Sequence, residues 1–151
     1  MRIVKYKVQL VKERSCLYAT EDGSKAISSP QGAYEAIEKT LNLSSEPKEN
    51  FGILALNTKN HPIGLHIISV GSINASIASP RDVFMAACLN NAAAIILFHN
   101  HPSGDPTPSS EDVVATNRLC EAGKIMGIQV LDHIIIGENG FKSLKENGYL
   151  R

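Results

Sequence analysis

An apolar run, Ile95-Ile96-Leu97-Phe98, passes without transition into His99-Asn100-His101, and the next seven residues, Pro102-Ser103-Gly104-Asp105-Pro106-Thr107-Pro108, carry three prolines and a glycine before Ser109-Ser110-Glu111-Asp112. No other stretch restricts the fold so narrowly. The apolar run suits a buried strand, the proline-rich segment cannot be helix, and the Ser-Ser-Glu-Asp cluster suits a helix start. Side chains two apart on a strand point the same way, so His99 and His101 can offer their imidazoles to one point just past the strand's end. The turn then brings Asp112 back as a candidate third ligand. Three protein ligands with one position left for water is the pattern of a catalytic zinc site, whereas structural zinc sites are closed by four ligands, usually including cysteines.

Asp112 also has a purely structural reading. Ser109-Ser110-Glu111-Asp112 fits a capping box, in which the serine caps the helix and the acidic residue three later reaches back to it. Both readings can hold together. A carboxylate that takes a metal is expected to free Ser109 from reciprocal capping, so that its hydroxyl faces the water or the substrate oxygen.

Fifteen Lys+Arg balance fifteen Asp+Glu in a chain of 151 residues, and no basic run stands out. There is therefore no global electrostatic footprint for nucleic acid or a membrane surface. Cys16, Cys88 and Cys120 are odd in number and widely spaced, which argues against a disulfide framework and against a cysteine-based zinc site. The opening Met1-Arg2-Ile3-Val4-Lys5 is no signal peptide, and the apolar stretches are too short or interrupted to span a bilayer. The expectation is a cytoplasmic protein of about one domain.

Along the chain, Val4, Tyr6, Val8 and Leu10 alternate with polar residues and predict an opening strand of the sheet. Ser28-Ser29-Pro30 predicts a helix start, with Tyr34, Ile37 and Leu41 at helical spacing. Phe51 to Leu56, the turn Asn57-Thr58-Lys59-Asn60, and Ile63 to Val70 predict a hairpin that contains His61 and His66 as ordinary residues. Ser79-Pro80-Arg81-Asp82 predicts a second capped helix with Phe84, Ala87, Cys88 and Asn91 on one face. Ala115, Leu119, Ala122 and Met126 predict a third helix, ended by Gly123 or Gly127, and Gln129 to Ile136 a buried strand. His133 next to Asp132 is expected in a packed or hydrogen-bonded structural role. Alternating strands and helices give an α/β or α+β three-layer domain with a mixed sheet flanked by helices.

The spacing His99-x-His101, seven residues, Ser109, two residues, Asp112 resembles the signature of the JAB/MPN (JAMM) metallopeptidases. More narrowly, His99-Asn100-His101-Pro102-Ser103-Gly104-Asp105, Pro108-Ser109 and Leu131-Asp132-His133-Ile134-Ile135-Ile136-Gly137 resemble the RadC branch, as do Ser79-Pro80-Arg81-Asp82-Val83 and Val70-Gly71-Ser72-Ile73-Asn74. The similarity runs from about Glu49 to the C-terminus, with residues 1–48 read as a strand-helix extension packed on a domain of residues 49–151. It implies a cytidine-deaminase-like topology, one Zn²⁺ per chain held by His99, His101 and Asp112, and Ser109 as an oxyanion donor. It also implies a glutamate general base on an early strand: Glu49 matches the position, with Glu46 its nearest competitor.

The activity so implied is hydrolysis of a peptide or isopeptide bond, in which Glu49 accepts the proton of a zinc-activated water and returns it to the leaving amine. The RadC family commonly carries an N-terminal helix-hairpin-helix region associated with DNA, and residues 1–48 are too short and too strand-like for one. Two other classes compete: a metal-dependent nuclease or DNA-processing protein, disfavoured by neutral charge, and a non-catalytic JAB/MPN interaction module. A deaminase is disfavoured because the Pro-Cys-x-x-Cys half of its zinc signature is absent. The sequence leaves the substrate's identity and the oligomeric state open.

Overall fold

The computed structural model describes residues 1–18, 23–71 and 79–150; Ser72-Ile73-Asn74 and Arg151 lie outside the described residues. In chain order the elements are α1 (Pro30–Leu41), β1 (Asn50–Leu56), β2 (Pro62–Val70), α2 (Pro80–Leu89), β3 (Ala94–Asn100), α3 (Ser110–Met126), β4 (Gln129–Gly137) and β5 (Gly140–Ser143), with a 3₁₀ turn at Leu43–Ser45. The five strands form one mixed sheet in the order β2-β1-β3-β4-β5. β1 runs antiparallel to both β2 and β3, β3 and β4 are parallel, and β5 returns antiparallel to β4.

Every residue of β1 and β3 is buried, which explains why neither strand shows a polar and apolar alternation in sequence. Alternate residues feed two cores. Leu54, Leu56, Ile96, Phe98, Ile134 and Ile136 meet Ala33, Ala36 and Ile37 of α1. Ile53, Ala55, Ile95 and Leu97 meet Val83, Phe84 and Ala87 of α2 and Leu119 of α3. Because neighbouring strand residues point to opposite faces, α1 covers one side of the sheet and α2 with α3 the other, giving three layers.

Local chemistry sets the element ends. Ser29 caps α1 by accepting from the Gly32 amide at 3.1 Å, with Pro30 in the first turn. At α2 the Ser79 side chain makes no cap bond among the described residues, so Pro80 is what favours the first turn there. Gly127, in the left-handed region at φ 68°, ends α3.

Three expectations are corrected. Val4 to Leu10 form no strand, and Val4, Tyr6 and Val8 are 59%, 82% and 72% exposed. Alternation describes a face to bury but supplies no hydrogen-bonding neighbour; further along, the Arg14 guanidinium meets the Thr40 carbonyl and the Tyr18 hydroxyl donates to Gly32 O at 3.1 Å. On α2 the buried face is Val83, Phe84, Ala86 and Ala87, while Cys88 is exposed and Asn91 lies beyond the helix with φ 53°. On α3 the buried face is Asp112, Thr116, Leu119, Cys120 and Gly123, and Met126 is 48% exposed. Two of the five inward positions are polar, so a reading by hydrophobic stripe is rotated off the true face.

Candidate metal centre

The parallel pair β3 and β4 is joined by α3, so the C-terminal end of β3 opens onto the N-terminus of that helix, where open α/β sheets place their ligand sites. β1 lies antiparallel to β3 with Phe51 opposite His99. Extending that register by two residues in each strand sets Glu49 across from His101. The antiparallel neighbour thus delivers its entering residue, and the central strand its leaving residues, to one edge.

Four side chains meet there. The Nε2 atoms of His99 and His101 lie 2.8 Å apart. Asp112 Oδ1 is 3.4 Å from His99 Nε2 and its Oδ2 is 3.4 Å from His101 Nε2. Glu49 Oε1 is 3.8 Å from His99 Nε2. Among the described residues, Glu49, His99 and His101 each present one ligating atom within 4.8 Å of the others, a group that can hold a metal ion. His99 and Asp112 are buried, whereas His101 and Glu49 are partly open to solvent.

The electrostatics follow this burial. Loss of water pushes the His99 pKa down to about 4, against the pull of the Asp112 charge. His101, nearer solvent, is shifted upward, chiefly by its contact with Asp112. Burial works to raise the Asp112 pKa, but His101, the His99 charge and the Ser109 bonds outweigh it and hold the carboxyl below its ordinary range.

The proline-rich loop is fastened on both sides. His101 N donates to Ile136 O at 2.8 Å, and the loop turns at Gly104, φ 87°, so that the Asp105 carbonyl accepts from His101 Nδ1 at 2.7 Å. Gly137 permits this close approach, since a Cβ there would stand 2.3 Å from Gly104 O. Asp105 in turn accepts from Thr107 N at 2.9 Å and from Thr107 Oγ1 at 2.7 Å, an Asx turn that carries the chain to α3.

The Ser109 box is closed in both directions: Ser109 Oγ accepts from Asp112 N at 3.1 Å, and Ser109 N donates to Asp112 Oδ2 at 2.8 Å. Asp112 therefore faces the histidines while the box stays closed. The box orients the carboxylate toward them. With its oxygen accepting from the helix, the Ser109 O–H still has its proton to donate.

Three further residues serve this cluster. Asn100 is buried, and its carboxamide accepts from Asn50 N and donates to the Lys48 and Glu46 carbonyls. His133 Nε2 lies 2.8 Å from His99 Nδ1, and His133 Nδ1 lies 2.6 Å from Thr116 Oγ1. His133 is buried and hydrogen-bonded, as expected from the sequence. Asn100 and Thr116 were not singled out there, although Thr116, four residues after Asp112, shares its helix face. His61 and His66 belong to the hairpin, where His61 N donates to Asn57 Oδ1 at 3.0 Å and His66 meets Asn90. Among the described residues no helix is long and apolar enough to cross a membrane.

Comparison with known proteins places this geometry. The model of the RadC-like JAB domain matches residues 27–149, which includes α1 and the whole sheet. A UPF0758 protein of Caldanaerobacter subterraneus subsp. tengcongensis is 47% identical over 148 residues, covering 98% of this chain and 63% of that protein. A UPF0758 protein of Desulfitobacterium hafniense is 51% identical over 124 residues, covering 82% of this chain and 54% of its own length. One from Moorella thermoacetica is 59% identical over 103 residues, 68% of this chain and 45% of that protein. The chain thus spans roughly half to two-thirds of the length of these relatives. It belongs to the RadC-like JAB domain family.

Proposed function

We propose that the chain is a zinc-dependent hydrolase of peptide or isopeptide bonds, with His99, His101 and Asp112 as ligands, Glu49 as general base and Ser109 as oxyanion donor. The observation that carries it is the mutual spacing of the ring nitrogens and carboxylate oxygens. Ligands about 2.0–2.1 Å from a tetrahedral ion stand about 3.3 Å from one another. Asp112 stands 3.4 Å from each ring through a different oxygen, Oδ1 toward His99 and Oδ2 toward His101, so one of them has to turn toward the ion, and the 2.8 Å between the histidines needs an opening of about half an ångström. Glu49 at 3.8 Å from His99 is set back from this spacing, which suits a group working on a water more than a fourth ligand. Two imidazoles and a carboxylate without cysteine are a donor set that zinc accepts.

Restraint separates the two carboxylates in the same sense. Asp112 is buried and fixed by the capping box, as a ligand must be, while Glu49 is more open to solvent. Zinc bound there would supply Lewis-acid activation of water and of a carbonyl. Glu49 takes the proton from the attacking water at its carboxylate and delivers it to the departing amine. The Ser109 O–H donates to the developing oxyanion, a contribution of about 3 kcal/mol where such donors have been removed.

The test is a set of quenched peptides, isopeptide-linked peptides, single-stranded DNA and double-stranded DNA, each incubated with zinc and with chelator. Chelator-sensitive cleavage restricted to the amide substrates is expected. Cleavage of DNA alone would replace this reading by a nuclease, and cleavage of nothing by the wild-type chain would favour the interaction-module class.

A further inference from the structure

Behind His99 a buried chain of side chains has a direction built into it. Thr116 Oγ1 lies 2.6 Å from the main-chain carbonyl of Asp112 and 2.6 Å from His133 Nδ1, and His133 Nε2 lies 2.8 Å from His99 Nδ1. A carbonyl oxygen only accepts, so the single hydroxyl proton of Thr116 goes to Asp112 O. Thr116 Oγ1 must then accept from His133, which places the His133 proton on Nδ1. A neutral imidazole carries one N–H. His133 Nε2 is consequently an acceptor, His99 Nδ1 is the donor that faces it, and His99 Nε2 keeps its lone pair.

We infer that Thr116 and His133 are positioning residues that lock His99 in the Nδ1–H tautomer and aim its Nε2 lone pair at His101 and Asp112. The relay starts on the backbone of Asp112 and ends on the ring of His99, so two of the proposed ligands are tied together through the protein interior. His133 has both nitrogens committed in this way and is not a ligand itself.

Several observations agree. His133 and His99 are both enclosed, where an unpaired charge is costly, so each ring has one proton to place. Asp132, the adjacent carboxylate, is committed elsewhere, to His133 N, Ser143 Oγ and Lys145 N. Phe51 meets the His133 ring edge-on and offers no competing acceptor. His101 reaches the same tautomer independently, because its Nδ1 faces the Asp105 carbonyl at 2.7 Å. Outer residues that fix ligand tautomers in this way typically change metal affinity by about 10–100-fold when removed.

The consequence for zinc rests on the proposed metal site, whereas the tautomers can be read without metal. Nitrogen-15 NMR of the histidines in the metal-free protein is expected to show Nδ1–H at His133 and His99. Thr116→Val, which keeps the shape and removes the hydroxyl, is expected to lose the single tautomer at His133 and to weaken zinc binding by about 10–100-fold in a chelator competition. Thr116→Ser restores both. Nε2–H at His133 in the wild-type chain would overturn the relay, as would a folded Thr116→Val protein with unchanged tautomers and zinc affinity. A wild-type chain that takes up no zinc yet shows Nδ1–H at both rings would sink the metal site and leave the relay standing.

Discussion

Asn100 Oδ1 accepts the amide proton of Asn50 at 2.7 Å, and Asn100 Nδ2 donates to Lys48 O at 3.0 Å. The residue between the two histidines thus turns away from them and clamps the backbone on both sides of Glu49. That clamp is the physical link between the candidate base and the strand that carries the candidate ligands.

Asn100→Ala would leave the buried Asn50 N without this partner, while Lys48 O keeps its bond from Asn50 Nδ2 and Glu46 belongs to an exposed stretch. An unpaired buried group costs about 1–3 kcal/mol, so a loss of about 2 kcal/mol in urea unfolding is expected. Zinc affinity should change less than in His99→Ala. A loss below about 1 kcal/mol would mean that the segment carrying Glu49 is held by other contacts.

Gly137→Ala brings a methyl within 2.3 Å of Gly104 O and 2.8 Å of Pro106 Cδ, so the proline-rich loop must move off β4. That movement takes the Asp105 carbonyl away from His101 Nδ1. With the ring no longer oriented, zinc affinity is expected to fall by at least about 10-fold in a folded protein. Unchanged affinity would show that His101 is oriented without the loop.

Glu49→Gln and Asp112→Asn separate the two carboxylates. The first is expected to keep zinc and lose turnover on whichever amide substrate the wild type cleaves; the second is expected to lose the metal. Equal zinc loss in both variants would make Glu49 a ligand and remove it as the base.

In the metal-free protein, acid should destabilise the fold from near neutrality. His99 has a folded-state pKa of about 4 against an ordinary 6.5, and His133 is also lowered, so the unfolded chain binds their protons first. Stability is present above pH 6.5 and lost as the pH falls toward 4, by about 3 kcal/mol for His99. Asp112, also lowered, extends the loss below its ordinary 3.8. His101 is raised, so its contribution is present below 6.5 and fades as the pH rises through its folded-state pKa. Urea unfolding between pH 4 and 8 is expected to show a maximum close to neutrality. A flat profile, or stability rising toward pH 4, would contradict the burial of His99.

Much of this was legible in the sequence where residue spacing and geometry coincide. Two histidines at strand spacing converge, the capping box turns Asp112 toward them, and the expected hairpin lies beside the strand that carries the histidines. The N-terminal alternation misled because it contains no information about a partner strand. The stripe on α3 misled because Asp112 and Thr116 point inward for polar reasons. Glu49 entered through the family resemblance alone, and it and Asn100 gain a physical reason only once the antiparallel register of β1 and β3 sets residues fifty positions apart beside each other.

The central claim is tested most directly by zinc stoichiometry, measured by elemental analysis after dialysis of the wild-type chain and of His99→Ala, His101→Ala and Asp112→Asn. One zinc per wild-type chain and a large loss in all three variants is expected. A wild-type chain free of zinc after exposure to it, or variants that hold as much as the wild type, would contradict the account.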